Sequence, residues 1–420
     1  MSYYSDSTVR TQYIDPRIYV ENNRAVFQLD TDESAYLPDM RLTFLGATSG
    51  ASQSNYNELV GALALVRSFT LYDGKEELSA LNRADFYRGF LNQNKVNSVN
   101  EKVSSYLDCS GLGFTINGST RKVEKMSADQ FIETTGGATD SAWLDLREVF
   151  PILGQMTHLS TSVFKNLRIV VEFYMDAQVT NNATDGGVKT LRPLLAVNVM
   201  TNPKVVDALN KKMLAVSWLE VEHDQFVIPQ SANDGGVNDQ NIEQTLSIKL
   251  NGYNAKRLER MLIVKEIAKS DLEINGGVVQ GFGKYSSQAV FQQKFQLRIN
   301  GRNIFPRASG ITGNNEMLAH VAEAYGDCTS YIGSNQYGMD ISTVVTAGRP
   351  VLGQLSYIGC YIGEHIADLQ IDYSRTGLQD GGNDGGKKAT TDELIGHCYC
   401  EVRKILTMGA NGTYVISYEQ

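Results

Sequence analysis

The sequence predicts an all-β protein of two tandem antiparallel sandwiches, about eight strands apiece, with a few short helices. Three observations predict it. A stretch of residues recurs half a chain later, apolar and polar residues alternate in many short runs, and Asp-Gly or Asn-Gly turns close two of those runs. The recurring stretch is Pro151-Ile152-Leu153-Gly154-Gln155-Met156, echoed by Pro350-Val351-Leu352-Gly353-Gln354-Leu355. Behind each copy comes an alternating run, Ile169-Val170-Val171-Glu172-Phe173-Tyr174 and Leu369-Gln370-Ile371-Asp372-Tyr373-Ser374. Each run then enters a glycine-rich loop, Thr184-Asp185-Gly186-Gly187 and Asn383-Asp384-Gly385-Gly386. A period of half the chain means a duplicated domain, not a solenoid.

Period-two alternation marks the strands, because successive side chains on a strand point to opposite faces. Met40, Leu42 and Phe44 share one face; so do Leu167, Ile169, Val171 and Phe173, with Arg168 and Glu172 opposite. In the second half, Leu246, Ile248 and Leu250 alternate with Thr245, Ser247 and Lys249. Phe295, Leu297 and Ile299 alternate with Lys294, Gln296 and Arg298. This is the pattern of antiparallel sheets with one packed face. Tyr72-Asp73-Gly74-Lys75 and Ile299-Asn300-Gly301-Arg302 are hairpin signals of the type I′ kind, with positive φ at both central residues. Beyond each hairpin the spacing predicts a short amphipathic helix. Leu81 to Asn94 carries Leu81, Phe86, Phe90 and Leu91 on one face, and Asn315 to Tyr325 carries Leu318, Val321, Ala322 and Tyr325.

Between the halves, Asn202 to Met213 predicts a connecting helix, with Pro203 at the first helical position. Trp218-Leu219-Glu220-Val221-Glu222 then begins a new strand. The division therefore falls within 202–217, giving an N-terminal domain over 1–210 and a C-terminal domain over 211–420.

Composition excludes several function classes. The 420 residues are 42% hydrophobic and 20% charged, enough apolar material for two cores. A net charge of −9 argues against wrapping nucleic acid, which needs a dense basic patch. Arg121, Lys122 and Lys125 are the nearest candidate and read as a solvated turn. No apolar run is long enough to span a membrane, and the polar start Met1-Ser2-Tyr3-Tyr4-Ser5-Asp6 has no signal-peptide core. Cys109, Cys328, Cys360, Cys398 and Cys400 show neither a disulfide framework nor zinc-finger spacing, as expected in a reducing compartment. Cys398 and Cys400 share one strand face and read as small buried residues. The sequons at Asn117, Asn182 and Asn411 read as incidental without a secretory signal.

Chemical motifs are missing as well. Gly276 to Tyr285 has the wrong spacing for a phosphate loop. Glu222, His223 and Asp224 are neighbours on a strand, so they cannot act together simply. His158, His320, His365 and His397 fall in separate segments without ligand spacing. The Asp-Gly-Gly loops at Asp185, Asp234, Asp380 and Asp384 offer isolated carboxylates where a calcium site needs six to eight oxygens. The sequence thus assigns no catalytic, cofactor-binding or metal-ligating residue, expects no cofactor, and predicts a protein that is not an enzyme.

Three segments carry a resemblance. Trp218 to Asp224 resembles the strand that opens the second barrel in double jelly-roll major capsid proteins of Polinton-like viruses and virophages. Asp368 to Arg375, and Cys400-Glu401-Val402-Arg403-Lys404-Ile405-Leu406 after a polar loop, resemble the strands that close it. That family spans adenoviruses, tailless membrane-containing phages and large eukaryotic DNA viruses. The resemblance implies a double jelly roll, two eight-stranded barrels standing upright, three copies of which form a pseudo-hexameric homotrimer. It implies neighbouring capsomers, penton and minor or cement proteins as partners, an internal membrane beneath the shell as a further candidate, and no sequence-specific nucleic-acid binding. Location in the virion is implied, with assembly in the host cytoplasm or nucleus and no secretion through a signal peptide. The chain is short for eukaryotic members, which suggests low towers. For the arm Met1 to Tyr13, with Tyr3, Tyr4 and Tyr13, two readings stand: reach to a neighbour or membrane, or a frayed terminus. A carbohydrate-binding, adhesin-like pair of sandwiches is the alternative function. A bicupin enzyme would need a His/His/Glu set that the scattered histidines do not supply.

Overall fold

The computed structural model describes residues 9–21, 23–30, 34–44, 46–48, 54–55, 63, 66–88, 114–117, 120–123, 131–132, 142–174, 188–190, 193–211, 215–229, 243–267, 294–311, 314–325, 358–376, 394–409 and 412–419. Several sequence features lie outside them: Pro350 to Leu355, the Asp-Gly-Gly loops at Asp185, Asp234, Asp380 and Asp384, Gly276 to Tyr285, Cys109, Cys328, Lys125, and the sequons at Asn182 and Asn411.

The N-terminal half begins with strands β1 (Val9–Ile14), β2 (Ile18–Val20), β3 (Arg24–Gln28), β4 (Ala35–Tyr36) and β5 (Arg41–Phe44). It continues with β6 (Val66–Asp73), β7 (Glu76–Asn82), helix α1 (84–88), β8 (Ala142–Asp145), helix α2 (Pro151–Gln155), β9 (Leu159–Ser160), β10 (Leu167–Phe173) and β11 (Leu194–Met200). Helix α3 (Pro203–Asn210) leads to the C-terminal half. There follow β12 (Ala215–Ile228), β13 (Glu243–Leu250), β14 (Lys256–Ile267), β15 (Lys294–Ile299), β16 (Arg302–Asn303), helix α4 (Asn314–Tyr325), β17 (Ile358–Ile366), β18 (Leu369–Thr376), β19 (Leu394–Met408) and β20 (Tyr414–Tyr418).

Each half folds as two packed sheets. In the first half one sheet runs β1-β11-β5-β8, with β4 and β9 extending it, and the other runs β2-β3-β10-β6-β7. In the second half one sheet runs β12-β19-β14-β17, with β20 beside β19, and the other runs β13-β18-β15-β16. All of these pairings are antiparallel. Set in chain order, β1, β3, β5, β6, β7, β8, β10 and β11 occupy the places of β12 to β19. The same connectivity is therefore built twice. Short ribbons such as Phe114–Asn117 with Thr120–Val123 form separate two-stranded sheets.

Local chemistry explains the elements. Leu167, Ile169, Val171 and Phe173 are buried while Arg168 and Glu172 stay half exposed, so β10 alternates as expected. The echo motif begins a helix: Pro151 takes the first position, where its missing N–H costs nothing, and Ile152 and Leu153 enter the core. At α3 the Asn202 side chain caps the Lys204 N–H at 3.1 Å. Asn300 and Gly301 both have positive φ and form the expected type I′ turn.

Other expectations are corrected. Of the Gly74-Lys75 loop only Gly74 has positive φ, which is the II′ pattern, not I′. Leu81 belongs to strand β7, and the helix beyond the hairpin starts at 84; Phe90 and Leu91 lie outside the described residues. Arg121 and Lys122 sit in a ribbon strand, not in a turn. Gln296, expected on a polar face, is buried because the chain after β16 folds over it. Its side-chain nitrogen donates to the Phe305 and Arg307 carbonyls, at 3.0 and 2.6 Å. Val9–Ile14 of the arm is docked as a strand along β11.

Two cores result. One fills the second sandwich around Phe295, Leu297, Ile371, Cys360, Cys398 and Cys400. The other fills the first sandwich and continues without a break into Trp218, Val221, Leu262, Val264, Val321, Tyr325 and Tyr399 of the second half. That continuity holds the halves together.

Candidate functional site at the junction of the halves

The outer face of the β12-β19-β14-β17 sheet carries one row of side chains per strand. Val221 and His223 come from β12, His397, Tyr399 and Glu401 from β19, Arg260, Leu262 and Val264 from β14. Residues directly opposite in an antiparallel pair share a face, so the registers Val221–Glu401, His223–Tyr399 and Leu262–Tyr399 fix this set. Two elements cover it. Helix α4 lays Val321 and Tyr325 over Gly359 of β17, where an added Cβ would lie 3.2 Å from Val321. The turn and helix after β7 bring Arg83, Phe86 and Tyr87 from the first half.

The contacts across this junction are polar as well as apolar. Tyr87 donates to Glu401 at 2.6 Å, and Arg260 donates to the other oxygen of the same carboxylate at 2.6 Å. Tyr399 donates to the Arg83 carbonyl at 2.8 Å. Phe86 stacks on His397 with centroids 4.9 Å apart, and Arg83 lies over the Phe86 ring. At the start of β12, Glu220 accepts from the Ser79 hydroxyl and the Ala80 N–H, both at 2.9 Å, and from the Trp218 indole at 2.6 Å. Farther along, Tyr414 donates to Asp73 at 2.9 Å and packs on Phe164. Burial disfavours charge on Glu220 and raises its pKa, with Lys404 and its three donors pulling the other way. Burial also raises the Tyr87 hydroxyl well above its ordinary value, with the Glu401 charge acting in the same direction.

A cleft of about 560 Å³ opens beside these contacts. Its three arginines each face a carboxylate: Arg88 meets Glu148, Arg147 meets Asp145 and Arg260 meets Glu401. Such paired walls suit structural bracing better than capture of a charged ligand.

The histidines part from expectation. β12 and β19 bring His223 Nε2 within 3.0 Å of His397 Nδ1, although the two stand far apart in the sequence. Among the described residues no set of three His, Cys, Asp or Glu forms around them. Glu222 and Asp224 point away from His223, as the strand geometry predicts, and Glu222 instead binds Lys256 and Tyr418. Cys398 and Cys400 lie 3.7 Å apart in the core beside Cys360. Burial pushes the Cys360 thiol up to about 12, so it stays protonated and is a poor nucleophile or metal ligand.

In the sequence Glu220 and Glu401 stand out only as strand residues. Their signal was present nonetheless: a carboxylate inside an apolar strand must find donors, and each found some in its own half and some in the other. Tyr87, Arg83 and Arg260 left no comparable mark.

No protein-family model matches the sequence, and no curated protein matches it. Solved structures do. The Faustovirus major capsid protein is similar at a TM-score of 0.60 with 7% identity, over 96% of this chain and 91% of that one. PBCV-1 VP54, fitted into a reconstruction of the virophage Sputnik, aligns over 100% of this chain and 99% of its own at a TM-score of 0.57 and 11% identity. A chain from the cryo-EM structure of the Sputnik virophage aligns at 0.58 and 8% identity, over 98% and 88%. At such identities the likeness establishes fold, and with the doubled strand order it leads to one conclusion: this chain is a double jelly roll, the fold of viral major capsid proteins.

Proposed function

We propose that this chain is the major capsid protein of an icosahedral virus, with a structural and not a catalytic role. One domain would span 1–210 and the other 211–420, and three chains would form a capsomer of pseudo-hexameric outline. The observation that carries this reading is the pair of sandwiches with the same strand order, joined side by side through a continuous core. Its full-length likeness to capsid proteins supports it. A rigid pair of similar units is what a homotrimer needs to imitate a hexamer, because closed rings arise when the same head-to-tail contact repeats. Tiling then follows from many weak contacts acting together. Neighbouring capsomers, penton and minor or cement proteins, and a membrane beneath the shell are the partners this role brings, and the virion is its location.

Light scattering on the purified protein, with negative-stain imaging, tests the reading. A particle of three chain masses with a hexagonal outline is expected. A monomer at every concentration would overturn it.

A further inference from the structure

The chain holds five Asn-Gly pairs, starting at Asn117, Asn251, Asn275, Asn300 and Asn411, and at Asn251 and Asn300 both residues of the pair are described. In such a pair the glycine nitrogen can attack the asparagine side-chain amide, because no Cβ on the glycine stands in the way. The attack needs nitrogen and Cγ about 3–3.5 Å apart and aligned, so the side chain must turn toward its own backbone. Both pairs lie in exposed turns of the second half, so sequence and solvent access are alike. The hold on the side chain is not.

Asn300 is clamped. Its Oδ1 accepts from the Ala367 and Asp368 N–H groups at 2.7 and 3.2 Å, and its Nδ2 donates to the His365 carbonyl at 2.9 Å. Its backbone N–H donates to the Asp368 carbonyl at 2.9 Å. The clamp belongs to the duplicated design. At the matching hairpin of the first half, Asp73 accepts from the Asn166 N–H at 2.7 Å and Gly74 donates to the Asn166 carbonyl at 2.9 Å. Asn251 opens the turn 251–255 between β13 and β14. That turn is pinned from inside by Tyr253, buried in the second core, and by the Ala255 N–H, which donates to the Ile366 carbonyl at 2.7 Å. Asn251 and Gly252 stand outside these anchors. Among the described residues, neither the Asn251 side chain nor the Gly252 N–H makes a hydrogen bond.

We infer that Asn251 is a site of self-modification, and that the clamp keeps Asn300 from the same reaction while the chain is folded. The Gly252 nitrogen bonds to the Asn251 Cγ, and the Cγ–Nδ2 bond breaks. Ammonia leaves with the proton that Gly252 gives up. Water, the sole co-reactant, then opens the succinimide at either carbonyl and leaves aspartate or isoaspartate. Either product adds a negative charge to a turn that already faces Asp224, whose Oδ2 lies 3.6 Å from the position of a Gly252 Cβ. The isoaspartyl form also adds a methylene to the backbone between β13 and β14, which belong to different sheets. The reaction therefore loosens the connection between the two sheets of the second sandwich.

Peptide mass spectrometry on the aged full chain tests this. The purified protein is held at mildly alkaline pH, folded in one arm and unfolded in urea in the other. The tryptic peptides 250–256 and 299–302 are followed, fragment ions separate Asn251 from Asn254, and enzymatic methylation scores isoaspartate. In the folded arm Asn251 should convert about tenfold faster than Asn300 or more, because ring closure at Asn300 must first break three side-chain hydrogen bonds. In urea the gap should vanish. Aged wild type should also unfold at a lower urea concentration than an aged Asn251→Gln chain, whose side chain would have to close a larger ring. Equal conversion of the two asparagines in the folded chain, conversion of neither, or a gap that persists in urea overturns the inference.

Discussion

Tyr87 and Glu401 stand 314 positions apart in the chain, and the Tyr87 hydroxyl donates to the Glu401 carboxylate at 2.6 Å. Arg260 holds the second oxygen, so this buried carboxylate is neutralised from one half and hydrogen-bonded from the other. A hydrogen bond to a charged group contributes about 1.5–3 kcal/mol. Tyr87→Phe should lower the unfolding free energy in urea by about that amount. Arg260→Ala should cost more, about 3–5 kcal/mol, because it strips the buried carboxylate of its counter-charge. A double-mutant cycle of Tyr87→Phe with Glu401→Gln should give a coupling above about 0.5 kcal/mol. Strict additivity would mean that the bond does not brace the junction.

Trp218 and Glu220 give a second, pH-dependent test. Trp218→Phe removes one of three donors from Glu220 and should destabilise by about 1.5–3 kcal/mol at neutral pH. Burial raises the folded-state pKa of Glu220 above its ordinary 4.5. The folded protein therefore takes up the proton first as pH falls, and the penalty for a buried charge fades between the raised value and 4.5. The variant raises that pKa further, so the gap between wild type and variant should narrow on acidification. Chemical unfolding at several pH values reads it; a gap that widens would refute the account.

The architecture was legible in the sequence where a local rule governed it. Alternation at Leu167 to Phe173, the turn at Asn300-Gly301 and the Pro203 helix start each depend on a few neighbouring residues. The doubling was legible because Pro151 to Met156 has a near copy at Pro350 to Leu355, differing only by Ile to Val and Met to Leu. The junction was largely not legible. Phe86 over His397, and His223 against His397, follow from which strands become neighbours, and no local pattern encodes that. Gln296 departs from its local pattern for the same reason: it shares a face with Lys294 and Arg298, but the chain after β16 returns to cover it.

That return depends on Gly310. Phe295 and Ile311 exchange backbone hydrogen bonds at 3.0 and 2.8 Å, and a Cβ at Gly310 would sit 2.0 Å from the Phe295 carbonyl oxygen. Gly301 also has positive φ, yet nothing lies within 4 Å of its Cβ position. Gly301→Ala should cost only the conformational term, about 1 kcal/mol. Gly310→Ala must also push two backbones apart, and about 3 kcal/mol or more is expected. Equal midpoints for the two variants in thermal unfolding would contradict the close approach.

His158 sets a pH limit on the connecting helix. Its Nε2 donates to the Asn210 side-chain oxygen at 2.7 Å, and its Nδ1 lies 2.9 Å from the Thr157 hydroxyl, which donates to it when the ring is neutral. Burial lowers its pKa below the ordinary 6.5, and the Asn210 bond only partly offsets this. The unfolded chain therefore binds a proton that the folded chain refuses, between 6.5 and the lowered folded value. Stability from this group is complete above 6.5 and is lost as pH falls through that window. His158→Gln keeps hydrogen-bonding capacity without a titrating proton, so its stability should vary less than wild type's as pH falls below 6.5. If both proteins lose stability in parallel across that range, His158 is not the group that titrates. If the variant is flatter, the loss is assigned to the contact between α3 and the segment ahead of β9, where the first half hands over to the second.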